Sequence, residues 1–379
     1  MAKSAPFHRS SAAPLSDTER LDRLRLYRSE NVGPSTYFRL LARFGTAAKA
    51  LEMVPELARR GGVRGGIALC PRSAAERELS RLSALGARLL CHGDVDFPDR
   101  LLGPEIVPLL CVLGDPALLG QPSIAIVGAR NASALGRRMA RNLARDLGEA
   151  GFSIVSGLAR GIDTAAHDAA LPTGTVAVLA GGVDVVYPPE NRDLYQQIAE
   201  QGCVVSEMAP GTQPHAALFP RRNRLISGLA EGVVVVEATP RSGSLVTARY
   251  GLEQGREIFA VPGSPFDPRC QGTNGLIRQG ATLVEGAADV LDVLAPSGRP
   301  QPAAPASLLH PTVETEEDDL TEARRSIIPI IGASPVTVDE IIRQCQLSPA
   351  VVSMVLVELE LAGRLERHRD NQISLLPLP

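Results

Sequence analysis

From residue 124 to 286, continuous apolar runs alternate with amphipathic stretches, and this alternation restricts the fold more than any other feature of the chain. IAIVGA (124–129), FSIVSG (152–157), TVAVLAGG (175–182), CVVSE (203–207), GVVVVEA (232–238), EIFAVPG (257–263) and ATLVEG (281–286) read as strands. Helical stretches such as ALGRRMARNLARDLGEAG and RDLYQQIAEQG separate most of them. A strand that is apolar throughout must be covered on both faces, and helices between successive strands supply that cover when the sheet is parallel. Residues 76–295 are therefore expected to form a doubly wound, mostly parallel α/β sheet. The preceding ARLLCHGDVDFPDRLLGPEIVPLLCVLGD should add strands or a lead-in at its edge.

Outside this enlarged Rossmann-like domain the periodicity changes. Residues 1–15 read as a flexible tail and 16–75 as a small helical domain. LDRLRLYRSENVGPSTYFRLLARFG gives a helix, a Val-Gly-Pro corner and a second helix turning Tyr37, Leu40, Leu41 and Phe44 to a core. With the second corner, ARRGGVRGGIAL, the pattern resembles helix-hairpin-helix or SAM-like modules, whose hairpin amides hold a DNA phosphate. Pro34 removes one such amide, so a purely structural role stands equally open. Residues 296–318, rich in Pro, Ala and acid, read as a linker. In 319–379, two helices meet at a turn beginning at Ser348-Pro349, and Gly363 precedes the short strands RLERH and QISLL, the order of a winged helix. Its would-be recognition helix carries Glu358 and Glu360, and beyond residue 295 seven Lys/Arg face twelve Asp/Glu. Phosphate neutralisation supplies most DNA affinity, so this module suits protein contact or packing. Arg364, Arg367, His368 and Arg369 at the wing keep DNA reading open.

Composition removes several functions. No apolar run approaches a membrane span, and MAKSAPFHRSSAAPLSDTER has no secretory h-region. The six cysteines are scattered without a CxxC pair, against a zinc module or disulfide framework and in keeping with a reducing cytoplasm. Lysine occurs only at Lys3 and Lys49, neither in a Gly-Lys-Ser/Thr loop, so the chain is no P-loop ATPase. With a net charge of −3, any polyanion site must be local.

Ligands of open α/β sheets bind beyond the carboxyl ends of the strands, and those ends carry glycines, small polar residues and arginines here. IAIVGARNASALGRR stands where a dinucleotide fingerprint would, but Arg130 replaces the glycine that admits a pyrophosphate. Gly128 makes the turn, and Ser133 is a helix cap able to donate to phosphate; a tight turn with an exposed arginine is the plainer reading. VSGLARGIDTAAHDAAL holds Arg160 between Gly157 and Gly161 with no acid in its own loop. Asp163 is expected to cap the following helix and His167 to pack beside it. FPRRNRLISG places Arg221, Arg222 and Arg224 around Asn223 in a first helical turn, where each cation costs up to about 1 kcal/mol. An anion among them would relieve that cost. EATPRSGSLVTARYGLEQG starts a helix at Ser242, Gly243 and Ser244, and GSPFDPRCQGTNGLIRQG brings Asn274 to another helix start. Two such arms suffice for a nucleotide; four or five form a groove that suits a nucleic-acid strand.

Phe219, Tyr187 and Phe266 are expected in the core, Phe219 with the option of meeting a base. Asp184, Glu207 and Glu237 stand alone at strand ends. No Ser/His/Asp, paired-carboxylate or metal-ligand arrangement assembles, so the expectation is binding without catalysis and without a cofactor or metal.

IVGARNASALG, IVSGLARGIDTAAH, VAVLAGGVDVVYPPENRDL, FPRRNRLISGLAEGVVVVEA, SGSLVTARYGLEQGREIFAVPG and QGTNGLIRQGA together, in this order over about 124–285, resemble the DNA-processing protein A (DprA/Smf) family. The resemblance implies a single-stranded-DNA-binding protein that helps load a RecA-type recombinase, notably in natural transformation, and that acts as a homodimer without enzymatic activity. The family's basic contacts fall on Arg130, Arg160 and the RRNR arginines. Arg160 stands where many relatives carry lysine, which keeps the charge. Three rivals are less well matched. A nucleotide-hydrolysing protein of the lysine-decarboxylase-like type needs a PGGxGT turn where this chain has TPRSGSLVTA. A dehydrogenase needs the fingerprint glycine that Arg130 replaces. A winged-helix regulator needs specific duplex binding by 319–379.

Overall fold

The computed structural model describes residues 15–63, 66–101, 107–295, 317–368 and 371–376. The expected tail to residue 14, linker residues 296–316, and Arg369 lie outside the described residues. The chain divides into two compact units. One holds the large sheet; the other gathers the N-terminal helices and the winged helix, which the sequence suggested as separate domains.

The chain begins with α1 (Asp17–Tyr27), α2 (Pro34–Phe44), α3 (Ala47–Arg60) and α4 (Arg72–Ala84). Ser16 and Thr46 cap α1 and α3 by accepting amide hydrogen bonds from Glu19 and Lys49, and Pro34 opens α2 at its first position. Tyr37 and Leu40 are fully buried as expected, whereas Leu41 and Phe44 are half-buried.

The sheet comprises β1 (Arg88–Cys91), β2 (Leu109–Gly114), β3 (Ser123–Gly128), β4 (Ser153–Ser156), β5 (Thr175–Val178), β6 (Cys203–Ser206), β7 (Gly232–Glu237), β8 (Glu257–Ala260) and β9 (Thr282–Leu283). Their order is β1-β2-β6-β5-β4-β3-β7-β8-β9. From β6 to β9 all neighbours are parallel; β1 and β2 join β6 as an antiparallel edge. The apolar strands are buried along their length, β7 at every residue, because helices lie between them: α5 (Ala134–Glu149), α6 (Ile162–Ala170), α7 (Arg192–Gln201), α8 (Leu218–Leu229), α9 (Gly243–Glu253), α10 (Gln271–Arg278) and α11 (Ala287–Leu294). One core packs Ile124, Ile126, Leu143, Leu147, Ala166 and Val234; a second packs Leu158, Ala177, Leu179, Ile198 and Val204. The strand order reverses between β3 and β7, so the crevice of this sheet opens beside Gly128 and Glu237.

The C-terminal elements are α12 (Glu317–Ile327), β10 (Val336–Thr337), α13 (Val338–Cys345), α14 (Pro349–Leu361), β11 (Leu365–Arg367) and β12 (Gln372–Leu375). The strands form an antiparallel sheet in the order β10-β12-β11, completing a winged helix in which α14 holds the recognition position. Ser348 caps α14 and Pro349 begins it.

Candidate nucleic-acid interface

The arginine-rich first turn of α8 is compensated from within. The helix starts at Leu218, one residue before Phe219-Pro220, and has no side-chain cap. Arg224 donates to Glu207 Oε2 at 2.7 Å and Arg221 to Oε1 at 3.3 Å. Glu207, just past β6, is buried at 3 % exposure. Arg222 turns the other way and is buried, its Nη1 donating to the Val178 carbonyl at 3.3 Å. Beside it lies Asp163, whose Oδ2 accepts from the Gly157 and Ala159 amides at 3.1 and 3.3 Å. Burial raises the Asp163 carboxyl and the Arg222 charge opposes that rise; burial pushes Arg222 down to about 10, against the pull of Asp163. The anion inferred from three cations in one turn is thus supplied largely by Glu207 and Asp163. Two expectations are corrected with it: Glu207 is not alone, and Asp163 ties down the loop before α6, whose N-cap is Gly161.

Gly157 makes this arrangement sterically possible. A Cβ there would lie 1.4 Å from Arg222 Nη1 and 2.9 Å from Asp163 Oδ2. Arg130, Gly157, Arg160, Tyr187, Phe219 and Arg222 line one cavity at the sheet's carboxyl edge. Two guanidiniums approach the Phe219 ring, with Arg130 Cζ 5.4 Å and Arg222 Cζ 6.0 Å from its centroid, distances at which a cation is drawn to a ring face. Tyr187 approaches it at 5.7 Å. The aromatics are therefore not core residues: Phe219 is half-buried on the cavity wall, and Tyr187 and Phe266 are 47 % and 94 % exposed. Arg160 has an acid after all, because Glu190 pairs with it from after β5. Both side chains are more than half exposed, and such a pair contributes at most about 1 kcal/mol. A phosphate can displace Glu190 at little cost.

The remaining predicted residues separate into two kinds. Gly128, Ser133 and Asn274 are consumed by the fold. A Cβ at Gly128 would lie 2.6 Å from Ile162 Cγ1. Ser133 donates its amide and hydroxyl to Glu237 at 2.9 and 2.6 Å while its Oγ accepts the Gly136 amide at 2.9 Å. Asn274 spans Gly263, accepting its N–H at 3.2 Å and donating to its carbonyl at 2.9 Å. These internal contacts engage groups that the sequence offered to a ligand, and Glu237 likewise is not alone. Its carboxylate occupies the start of α5, where a dinucleotide fold holds its pyrophosphate. A nucleotide there would meet a negative charge, which counts against both nucleotide-binding rivals.

Ser242, Gly243, Ser244 and Asn223 form a second arm. Ser242 caps α9 and shares a 2.7 Å hydroxyl contact with the buried Ser244; Asn223 donates to the Gly243 carbonyl at 3.3 Å. A Cβ at Gly243 would meet nothing within 4 Å, and its φ is not positive, so neither packing nor backbone conformation requires glycine. An approaching ligand backbone would. Sequence reasoning missed Glu190 and Leu158. The first arrives from a distant loop; the second is a leucine at φ +54°, which no local pattern marks.

A doubly wound α/β protein whose switch-point anion site is filled by its own carboxylate, with an arginine and aromatic cavity displaced along the same edge, has the form of a polyanion-binding protein. The family model for DNA recombination-mediator protein A matches residues 88–295, flanked by models for the DprA-like N-terminal HHH domain over 17–80 and the DprA winged helix domain over 298–371. Protein Smf of Escherichia coli is 39% identical over 298 residues, 77% of this chain and 79% of the relative. DNA processing protein DprA of Bacillus subtilis is 46% identical over 189 residues, 49% of this chain and 64% of the relative. The X-ray structure of DprA from Streptococcus pneumoniae superposes with a TM-score of 0.61 at 33% identity, over 74% of this chain and 98% of that one. A solved structure of Helicobacter pylori DprA, described for its single-stranded DNA binding mode, gives 0.51 at 29% identity, over 56% of this chain and 97% of that one. The chain belongs to the DNA recombination-mediator protein A family. Among the described residues no helix is long and apolar enough to cross a membrane.

Proposed function

We propose that this protein binds single-stranded DNA along the carboxyl edge of its sheet and acts as a recombination mediator. Arg130 and Arg160 meet phosphate, Phe219 meets a base, and the arm at Gly243 receives the strand's backbone. The observation that carries this reading is that two exposed arginines, Arg130 and Arg160, line one cavity with the half-buried Phe219, whose ring lies beside Arg130. Stacking on an aromatic requires an unpaired base, so single strands bind more tightly than duplex and with little sequence preference. The single-stranded DNA binding described for the Helicobacter pylori relative supports the same substrate. Loading of a RecA-type recombinase, action as a homodimer and a role in natural transformation extend the proposal from the family. The loading step is measured as relief of the lag in a recombinase's DNA-dependent ATPase on strands coated with single-strand-binding protein.

The test is a salt titration of single-strand affinity. For wild type, log K falls with log salt by about 0.7 per phosphate neutralised. Arg130→Ala is expected to shrink that slope by about one such increment, with unfolding unchanged because Arg130 is exposed. Identical affinity and slope in Arg130→Ala and Arg160→Ala would dispose of the cavity as the DNA site. Gly243→Val separates binding from folding at the second arm. The Cβ it adds meets nothing within 4 Å, so the unfolding midpoint is expected to stay put while single-strand affinity falls about tenfold. Unaltered affinity removes Gly243 from the interface.

A further inference from the structure

We infer that α14, the recognition helix of the winged helix, is the docking surface for the chain's own N-terminal helices, so that this module joins the two ends of the chain and does not read duplex DNA. A recognition helix works by offering side chains to a groove. From Ala350 to Ala362 no residue of this one is exposed, and Val352, Val355, Leu356, Val357, Glu358 and Leu361 are fully buried. Its cover includes α2 and α3, which pack on it within one unit. The backbones meet so closely at Gly61, the residue after α3, that a Cβ there would lie 2.0 Å from the Glu358 carbonyl oxygen and 2.8 Å from Ala362 Cβ. Polar contacts then fix the register. Asn31 Nδ2 donates to the Leu361 carbonyl at 3.1 Å, Thr36 Oγ1 to Glu360 Oε2 at 2.7 Å, and Arg364 Nη1 to the Gly61 carbonyl at 3.1 Å.

The same contacts explain the charges that looked misplaced for DNA. Glu358 accepts from Nε and Nη2 of Arg324, on α12, at 2.6 and 2.8 Å; Glu360 is held by Arg367 as well as by Thr36. Arg364 and Arg367, the arginines among the described residues of the wing, are thereby turned inward. His368 shares its Nε2 with Ser374 Oγ at 2.7 Å.

Hydrogen exchange on the full-length protein tests this independently of the arginine cavity. Gly61 has ordinary helical φ of −69°, so alanine is compatible with α3 itself, and its nearest clashes are with Glu358 of α14 and Ala362 at its end. Gly61→Ala is expected to speed exchange at least tenfold in 349–361 and in 34–44 together. Acceleration confined to 47–61 would overturn the inference. Thr36→Val removes one hydrogen bond and keeps the shape; about threefold faster exchange in 349–361 is expected, and none would count equally against it. Addition of a 20-base-pair duplex to wild type should leave exchange in 349–361 unchanged, and protection there would restore α14 as a DNA reader.

Discussion

Arg222→Ala is expected to destabilise the protein by about 3 kcal/mol, more than any other single arginine removal at the sheet edge, because it leaves Asp163 buried without its nearby positive charge. Asp163 is held by the amides of Gly157 and Ala159, so it cannot swing to water without releasing the loop that carries Arg160. Arg222→Lys should recover only part of the loss, since a point charge on a narrower stem cannot both reach Val178 and stack on Phe219. Asp163→Asn in the Arg222→Ala background should restore at least a third of the lost stability by removing the stranded charge. Denaturant unfolding of the four proteins checks this; a single variant within 0.5 kcal/mol of wild type, a figure on the order of surface substitutions, would refute the buried-charge account. Arg222 is consequently a poor probe of DNA binding, because lost affinity would be inseparable from a disordered loop. Arg130 and Arg160 are the informative positions.

The second large effect concerns acid. His167 is fully buried; its Nδ1 lies 2.7 Å from Thr175 Oγ1, which itself donates to the Ile154 carbonyl at 2.8 Å. Nδ1 must therefore carry the proton, leaving Nε2 to accept the Leu158 amide at 3.3 Å. Burial pushes the imidazole down to about 3, and the charge of Arg222 pushes the same way. An unfolded histidine titrates near 6.5. Between these values the unfolded chain holds a proton that the folded chain refuses, so this contribution is complete above about pH 6.5 and lost as pH falls toward 3. The slope is about 1.4 kcal/mol per pH unit, or about 3 kcal/mol between pH 6.5 and 4. Asp163 is raised and works in the opposite sense, so the measurement is the difference between wild type and His167→Gln. Stability curves that converge as pH falls are expected; parallel curves from pH 7 to 4 would exclude a neutral His167.

The sheet was legible because each apolar strand carries its own evidence in a few consecutive residues; added strands at its edge were foreseeable from the lead-in, but the antiparallel direction of β1 and β2 was not. Arg130, Arg160 and Phe219 could be gathered to one edge because every strand's carboxyl end must arrive there. What could not be read was which charges cancel. Glu207 and Asp163 reach α8 through tertiary packing, Glu237 crosses to Ser133 from the neighbouring strand, and Glu190 reaches Arg160 from after β5. Ser133 and Asn274 have the right chemistry at the right edge, yet partners from elsewhere in the chain consume them. The closure of α14 was invisible for a related reason: a run such as VVSMVLVELEL says that a helix is buried but not what buries it.

The Arg222 guanidinium occupies the volume that any side chain at position 157 would need. Substitutions at these two sites are therefore not independent. Alanine at 157 must displace the guanidinium while the arginine is present, and once it is gone the close approach that remains is Asp163 Oδ2 at 2.9 Å, so a lineage losing Arg222 loses the larger part of the constraint that keeps Gly157. The glycine preserves the arginine's address, and either residue alone is a record of the other.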